Sequence, residues 1–185
     1  MERIKELAEA ELIQRCLNND VLAQNELYRR FAGKMMGVCM RYAKNRDDAK
    51  DILQDAFVRV YLNLKSFKAE GSFEGWIKRI MINTAIKHYR KNLKFVNNVD
   101  IETAYTVGFD NDIIGKMGVD ELMAKVQTMP DGYRTIFNLY IVEGYQHNEI
   151  GELLGIAEGT SKSQLARARN YLIKLIKGNN SSANL

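Results

Sequence analysis

Apolar residues recur at every third or fourth position along most of the chain, which is the spacing of the buried face of an α-helix. No convincing strand pattern occurs. No apolar run approaches the roughly 18 residues that would cross a membrane, so no membrane insertion is expected. The pattern predicts eight helices, at 8–18, 21–43, 47–64, 73–92, 119–129, 131–143, 146–154 and 160–177.

The helical pattern is interrupted at residues 95–118, which show little periodicity and hold four acidic residues against one basic residue. A loop of this length is uncommon inside one compact domain. We therefore predict an all-α protein of two small domains, 8–94 and 119–177, joined by a flexible acidic linker and followed by a frayed tail at 178–185. A rigid loop within a single bundle is the alternative.

Composition supports helices and argues against several classes of protein. Among 185 residues there is one proline, where average usage would give roughly nine. The two cysteines, Cys16 and Cys39, are too few and too far apart for a disulfide scaffold or a zinc motif. The two histidines, His88 and His147, are also far apart. We therefore expect a cytoplasmic protein with no cofactor, no metal site and no enzymatic activity.

Charge is segregated along the chain, although the net charge is only +4. Segment 73–94 holds six basic residues against one acid, and segment 160–177 holds five basic residues and no acid. Segment 119–159, by contrast, holds seven acids against two bases. Two separate basic helices, one in each predicted domain, suit two contacts along a polyanion such as DNA.

Residues 146–177 carry the pattern of a helix-turn-helix. A short amphipathic helix ends at Gly155, which suits a left-handed C-cap, and Thr160 is predicted to be the N-cap of the next helix. In a helix-turn-helix the N-terminal residues of the second helix meet base edges in the major groove. An αα-hairpin with a solvated basic face is the alternative. The first turns offer Thr160, Ser161, Lys162, Ser163 and Gln164.

The predicted helix 47–64 has an acidic face opposite its apolar stripe. A basic protein partner would explain this face, whereas neutralisation by Lys50 and Arg59 on a solvated surface is the alternative. The outward residues are Asp48, Asp51, Gln54 and Asp55.

The predicted helix 73–92 has a basic polar stripe, and an aromatic-flanked loop precedes it. Aromatic rings beside cations can stack an unpaired base and hold its phosphate. The alternative is that the aromatic residues simply belong to the core. The candidate DNA residues are Phe67, Lys68, Trp76, Arg79, Asn83, Lys87 and Arg90.

Three segments together resemble bacterial RNA polymerase sigma factors of the extracytoplasmic-function (ECF) group. The segment HNEIGELLGIAEGTSKSQLARARNYL is similar to their fourth conserved region, which reads the upstream promoter box. DAKDILQDAF resembles the segment that binds the clamp helices of the largest core subunit, and SFEGWIKRIMINTAIKHYRK resembles the region that opens the proximal box. The family often has alanine at positions 81 and 151 and aspartate at 87, where this chain has Met81, Gly151 and Lys87.

The resemblance implies a sigma factor that binds core RNA polymerase and directs initiation at specific promoters. Ser163, Ala166 and Arg167 would face bases of the upstream box. The implied partners are the clamp helices, the flap of the second-largest subunit, double-stranded and locally melted promoter DNA, and an anti-sigma factor. Two alternatives remain: a dimeric helix-turn-helix regulator that works without polymerase, and a helical adaptor that binds no DNA.

Overall fold

The computed structural model describes residues 7–93 and 118–180, and all regular structure within these ranges is helical. This confirms the predicted fold class. The helices are α1 (Glu9–Leu17), α2 (Val21–Tyr42), α3 (Arg46–Asn63), α4 (Phe73–Leu93), α5 (Val119–Gln127), α6 (Asp131–Phe137), α7 (His147–Leu154) and α8 (Glu158–Asn180).

The chain divides into two compact units, Met1–His88 and Tyr89–Leu185. The division falls within α4, before the predicted domain end at 94. Of the predicted linker 95–118, only Gly118 is described, and it precedes α5 as its N-cap. No helix of the described residues is long and apolar enough to span a membrane.

The first unit packs α1 to α4 around an aliphatic and aromatic core. Side-chain caps define two helix starts: Asp20 accepts hydrogen bonds from the amides of Leu22 and Ala23, and Asn45 accepts one from the amide of Asp48. The short connection after α2 makes α2 and α3 antiparallel neighbours. The largest fully buried side chains of this unit are Leu12, Leu27, Met35, Val60, Phe73, Ile77 and Met81.

Both cysteines lie in this core, as predicted. Cys16 and Cys39 are buried free thiols. Burial raises the pKa of Cys16 to about 11 and that of Cys39 to about 12. Neither thiol is therefore ionised near neutral pH, which is consistent with a packing role.

The second unit departs from the prediction between residues 131 and 143. Instead of one continuous helix, α6 ends at Phe137 and a π-helical segment occupies Asn138–Val142. The buried Arg134 organises the preceding turn, because its guanidinium donates to the carbonyls of Gln127 and Met129. Apolar periodicity did not predict this change, and the π-helical segment buries Leu139 while Ile141 and Val142 are exposed.

The turn between α7 and α8 begins as predicted, with the C-cap of α7. Gly155 adopts φ 70° and ψ 39°, the left-handed conformation of a helix C-cap. A Cβ added to Gly151 would lie 2.9 Å from the backbone carbonyl oxygen of Ile156, so the alanine that the family often has here would require the turn to shift.

The predicted start of the last helix was wrong. The helix begins at Glu158, and the carbonyl of Ala157 accepts hydrogen bonds from the amides of Thr160 and Ser161. Thr160 therefore lies within the first turn and is not the N-cap. At the other end α8 continues to Asn180, three residues beyond the predicted end at 177 and into the predicted tail.

Candidate nucleic-acid and protein interfaces

The acidic face of α3 is present on the surface of the first unit. Asp51, Gln54 and Asp55 are exposed and Asp48 is half-buried. Lys50, one of the two cations in the solvated-surface alternative, pairs with a different acid, since its Nζ lies 2.8 Å from Oδ1 of Asp47. This ion pair lowers the pKa of Asp47.

One acid of this face has a partner that the sequence did not reveal. Nε2 of His88, on α4, lies 2.8 Å from Oδ2 of Asp55. Asp55 keeps 59% of its side-chain area exposed, so the contact orients the carboxylate while leaving it accessible. The two residues are 33 positions apart, and no sequence pattern pairs them.

Two apolar side chains extend the acidic face along α3. Val58 is 54% exposed and Leu62 is 77% exposed. They follow Asp51 and Asp55 at steps of three and four residues, so all four share one side of the helix. Sequence analysis missed them, although this spacing from Asp55 was a usable signal. Acidic and apolar groups together suit a protein partner better than a purely solvated surface does.

The basic stripe of α4 lies on its outer side. Arg79, Asn83, Lys87 and Arg90 are all exposed. The opposite side of the helix is anchored in the core by Phe73, Ile77, Met81, Ile82, Ala85 and Ile86. The helix therefore presents three cations and an amide to solvent from a rigid support.

The aromatic residues before and within α4 divide between core and surface. Phe73 is buried and belongs to the core, as the alternative supposed. Phe67 and Trp76 are half-buried, and their ring centroids lie 5.6 Å apart. Phe73 stacks against Trp76 with centroids 5.7 Å apart and planes 13° apart, which fixes the indole.

Phe67 and Trp76 line an open cleft of about 410 Å³. Ala69, at φ 57°, adopts the left-handed conformation and turns the loop that forms one wall. The hydroxyl of Ser72 accepts a hydrogen bond from the amide of Gly75 and so fixes the start of α4 at the base of the cleft. The lining residues are Ser66, Phe67, Lys68, Glu70, Gly71, Ser72, Gly75, Trp76 and Arg79.

The first turns of α8 present most of the predicted upstream-DNA residues. Thr160 and Lys162 are exposed, and Ser163, Gln164, Ala166 and Arg167 are half-buried. Nζ of Lys162 lies 2.6 Å from Oε1 of Glu158, an ion pair that lowers the pKa of that glutamate.

Ser161 is the exception among the predicted upstream-DNA residues. Its side chain is fully buried. Its Oγ lies 2.9 Å from Nδ1 of His147, the first residue of α7. The helix begins two residues earlier than predicted, and Ser161 lies on the side that packs against α7.

Comparison with protein families gives two matches along the chain. Residues 27–95 match the model of Sigma-70 region 2, and residues 120–172 match that of Sigma-70, region 4.

Two sigma factors of other bacteria each match most of this chain. The ECF RNA polymerase sigma-E factor of Haemophilus influenzae is 28% identical, across 91% of this chain and 95% of its own length. The ECF RNA polymerase sigma factor SigW of Bacillus subtilis is 31% identical, across 80% of this chain and 85% of its own length. Among solved structures, the sigma factor RpoE of Bartonella quintana, in complex with the anti-sigma factor NepR, is 20% identical. That match covers 83% of this chain and 96% of RpoE, with a TM-score of 0.49.

With both sigma regions in order along one chain, this protein belongs to the ECF family of RNA polymerase sigma factors, which bind core RNA polymerase and direct transcription initiation.

Proposed function

We propose that this sigma factor binds core polymerase and the two promoter boxes through three separate surfaces. The acidic face of α3 binds the clamp helices of the largest core subunit. The cleft beside Trp76 and the basic stripe of α4 bind the proximal promoter box as it melts. The first turns of α8 read the upstream box in the major groove. The observation that supports this assignment is that all three surfaces are exposed at least in part, differ in chemistry and lie on helices anchored in the cores of their own units.

The remaining assignments follow from the binding of this protein to core polymerase. The protein catalyses no covalent reaction of its own, and it acts in the cytoplasm where core polymerase is. The flap of the second-largest subunit is the proposed contact of the second unit. An anti-sigma factor is the proposed regulator, and residues 8–94 and 119–177 are the proposed functional domains.

The experiment that tests the function compares promoter binding with and without core polymerase. We expect the free protein to shift promoter DNA weakly, because one recognition helix offers a small interface and segment 119–159 beside it is acidic. Adding core polymerase should give tight, promoter-specific binding and run-off transcription. Equally tight and specific binding by the free protein would favour the dimeric regulator, and no DNA binding in either case would favour the adaptor.

The cleft in the first unit is expected to bind an unpaired base, and the protein provides its own probe. Trp76 is the single tryptophan of the chain, so its fluorescence reports on this cleft alone. Single-stranded oligonucleotides of the proximal box should quench it, because base–aromatic stacking is worth about 1–3 kcal/mol. The same sequence as a duplex should not.

A matched pair of variants checks that the quenching comes from the cleft. Arg79→Ala removes a lining cation and should weaken oligonucleotide binding severalfold. Arg46→Ala removes an exposed arginine from the start of α3 and should leave binding unchanged. Quenching by the duplex to the same extent, or equal effects of the two substitutions, would rule out a base-binding role for the cleft.

A further inference from the structure

A small polar cluster joins the two helices of the helix-turn-helix. The imidazole of His147 stacks on the ring of Tyr140 in the π-helical segment, with centroids 4.4 Å apart and planes 20° apart. Its Nδ1 shares the 2.9 Å hydrogen bond with Oγ of Ser161. The imidazole is thus held on one side by a ring from the preceding segment and on the other by the first turn of α8.

The bond to Ser161 is a directional contact between α7 and α8. Ile150 and Leu154 of α7 and Leu165 of α8 are also buried, and apolar burial does not by itself fix the rotation of a helix about its axis. The Ser161 hydroxyl is fully buried. Rotating the first turn of α8 would break its bond to His147 and leave a buried polar group without a partner, which is unfavourable.

The position of Ser161 in the chain connects this bond to DNA reading. The adjacent Lys162, Ser163 and Gln164 are the residues assigned to the upstream box. We propose that His147 is a positioning residue for promoter recognition: through Ser161 it fixes the first turn of α8 in the orientation that base reading requires. The proposal rests on the proposed role of α8.

The surroundings of His147 lower its pKa. Burial is the main reason that its pKa lies below the ordinary value of 6.5, and the cations of Lys162 and Arg169 lower it further, whereas Glu158 raises it. These three residues are the titratable groups of α8 that face it, and the phenol of Tyr140 faces it from the π-helical segment. Because the folded pKa is lower than the unfolded value, the unfolded chain binds the proton more readily. The contribution of His147 to stability is therefore fully present above about pH 6.5 and is lost as the pH falls through the lowered folded pKa.

Four variants of the full chain, each assembled with core polymerase, test the proposal. His147→Phe keeps a ring against Tyr140 but removes the nitrogen, and Ser161→Ala removes the hydroxyl. The double variant combines them, and His147→Asn places an amide near the position of Nδ1. The measurement is the ratio of holoenzyme affinities for the intact upstream box and for boxes with single base substitutions, at a temperature where circular dichroism shows every variant folded.

We expect His147→Phe to reduce that ratio about fivefold or more, and His147→Asn to restore most of it. The double variant should be no worse than His147→Phe, because both changes remove the same bond.

Two results would overturn the proposal, and they are distinguishable. If His147→Phe lowers the melting temperature but keeps the wild-type ratio, His147 is only structural and α8 remains the reader. If the wild-type holoenzyme itself shows no base preference at the upstream box, the role of α8 fails, and the proposal fails with it.

Discussion

Reversing Asp51 and Asp55 to lysine is expected to abolish binding to core RNA polymerase while leaving the fold intact. Truncating one member of an interfacial charge pair costs about 2–5 kcal/mol, and reversal adds repulsion from the partner's cations. Even about 2 kcal/mol at each position corresponds to roughly a thirtyfold loss per site. Retention of the variant on immobilised core polymerase measures the effect.

The fold should tolerate this double change. Asp51 and Asp55 are like charges one helical turn apart, and two lysines reproduce that spacing, so the repulsion within α3 is little altered. The contact between Asp55 and His88 is lost, but both side chains are partly exposed, and such pairs contribute little to stability. Circular dichroism and thermal melting should therefore resemble those of the wild type.

A matched charge reversal separates this face from net charge. Glu9→Lys with Glu11→Lys changes two exposed acids of α1 and shifts the net charge of the protein by the same amount. This control should still bind core polymerase. Undiminished retention of the α3 variant, or equal loss in both variants, would contradict the assignment of the α3 face.

The second large effect is expected to distinguish Arg167 from Lys174. Arg167 is half-buried and lies about two and a half turns from the start of α8, whereas Lys174 is exposed and lies about two turns further on. A helix that enters the groove by its N-terminal end brings only the nearer residue to base edges. Arg167→Ala should cost about 1–3 kcal/mol and relax preference at one upstream base pair. Lys174→Ala should weaken binding evenly and reduce the salt slope by about one unit.

Holoenzyme titrations on promoters carrying each upstream-box substitution measure both effects. Arg167→Lys is the conservative control, because lysine keeps the charge but lacks the guanidinium that can donate two hydrogen bonds to one base. This variant should therefore retain the affinity that comes from phosphate contacts and lose base preference. A change of base preference with Lys174→Ala but not with Arg167→Ala would show that α8 docks differently. No change with either variant would mean that α8 is not the reader.

Local sequence determined the helices and most of their faces. The apolar stripe of α3 predicted which residues would be buried, and it therefore also predicted that Asp51, Gln54 and Asp55 would be exposed. Gly155 was predictable as a left-handed cap because that conformation penalises any side chain with a Cβ. These features depend on neighbours within one or two turns, and the sequence displays those neighbours directly.

Helix ends were less predictable, because several residues compete to satisfy the first amides. Thr160 is a favoured capping residue, yet the helix begins at Glu158 with backbone hydrogen bonds to Ala157. That shift of two residues does not alter the periodicity of α8. It does change the place of Ser161 in the first turn and the distance of each candidate DNA residue from the helix start.

The sequence by itself determined the helical architecture, the separation of acidic and basic surfaces and the resemblance to sigma factors. Only the tertiary structure decided which partners distant residues find: His88 with Asp55, His147 with Ser161, and the ring of Trp76 beside the cleft. The physical reason is that hydrogen bonds are short and directional. They depend on how helices pack to within a fraction of an ångström, whereas apolar burial depends mainly on which face of a helix a residue occupies.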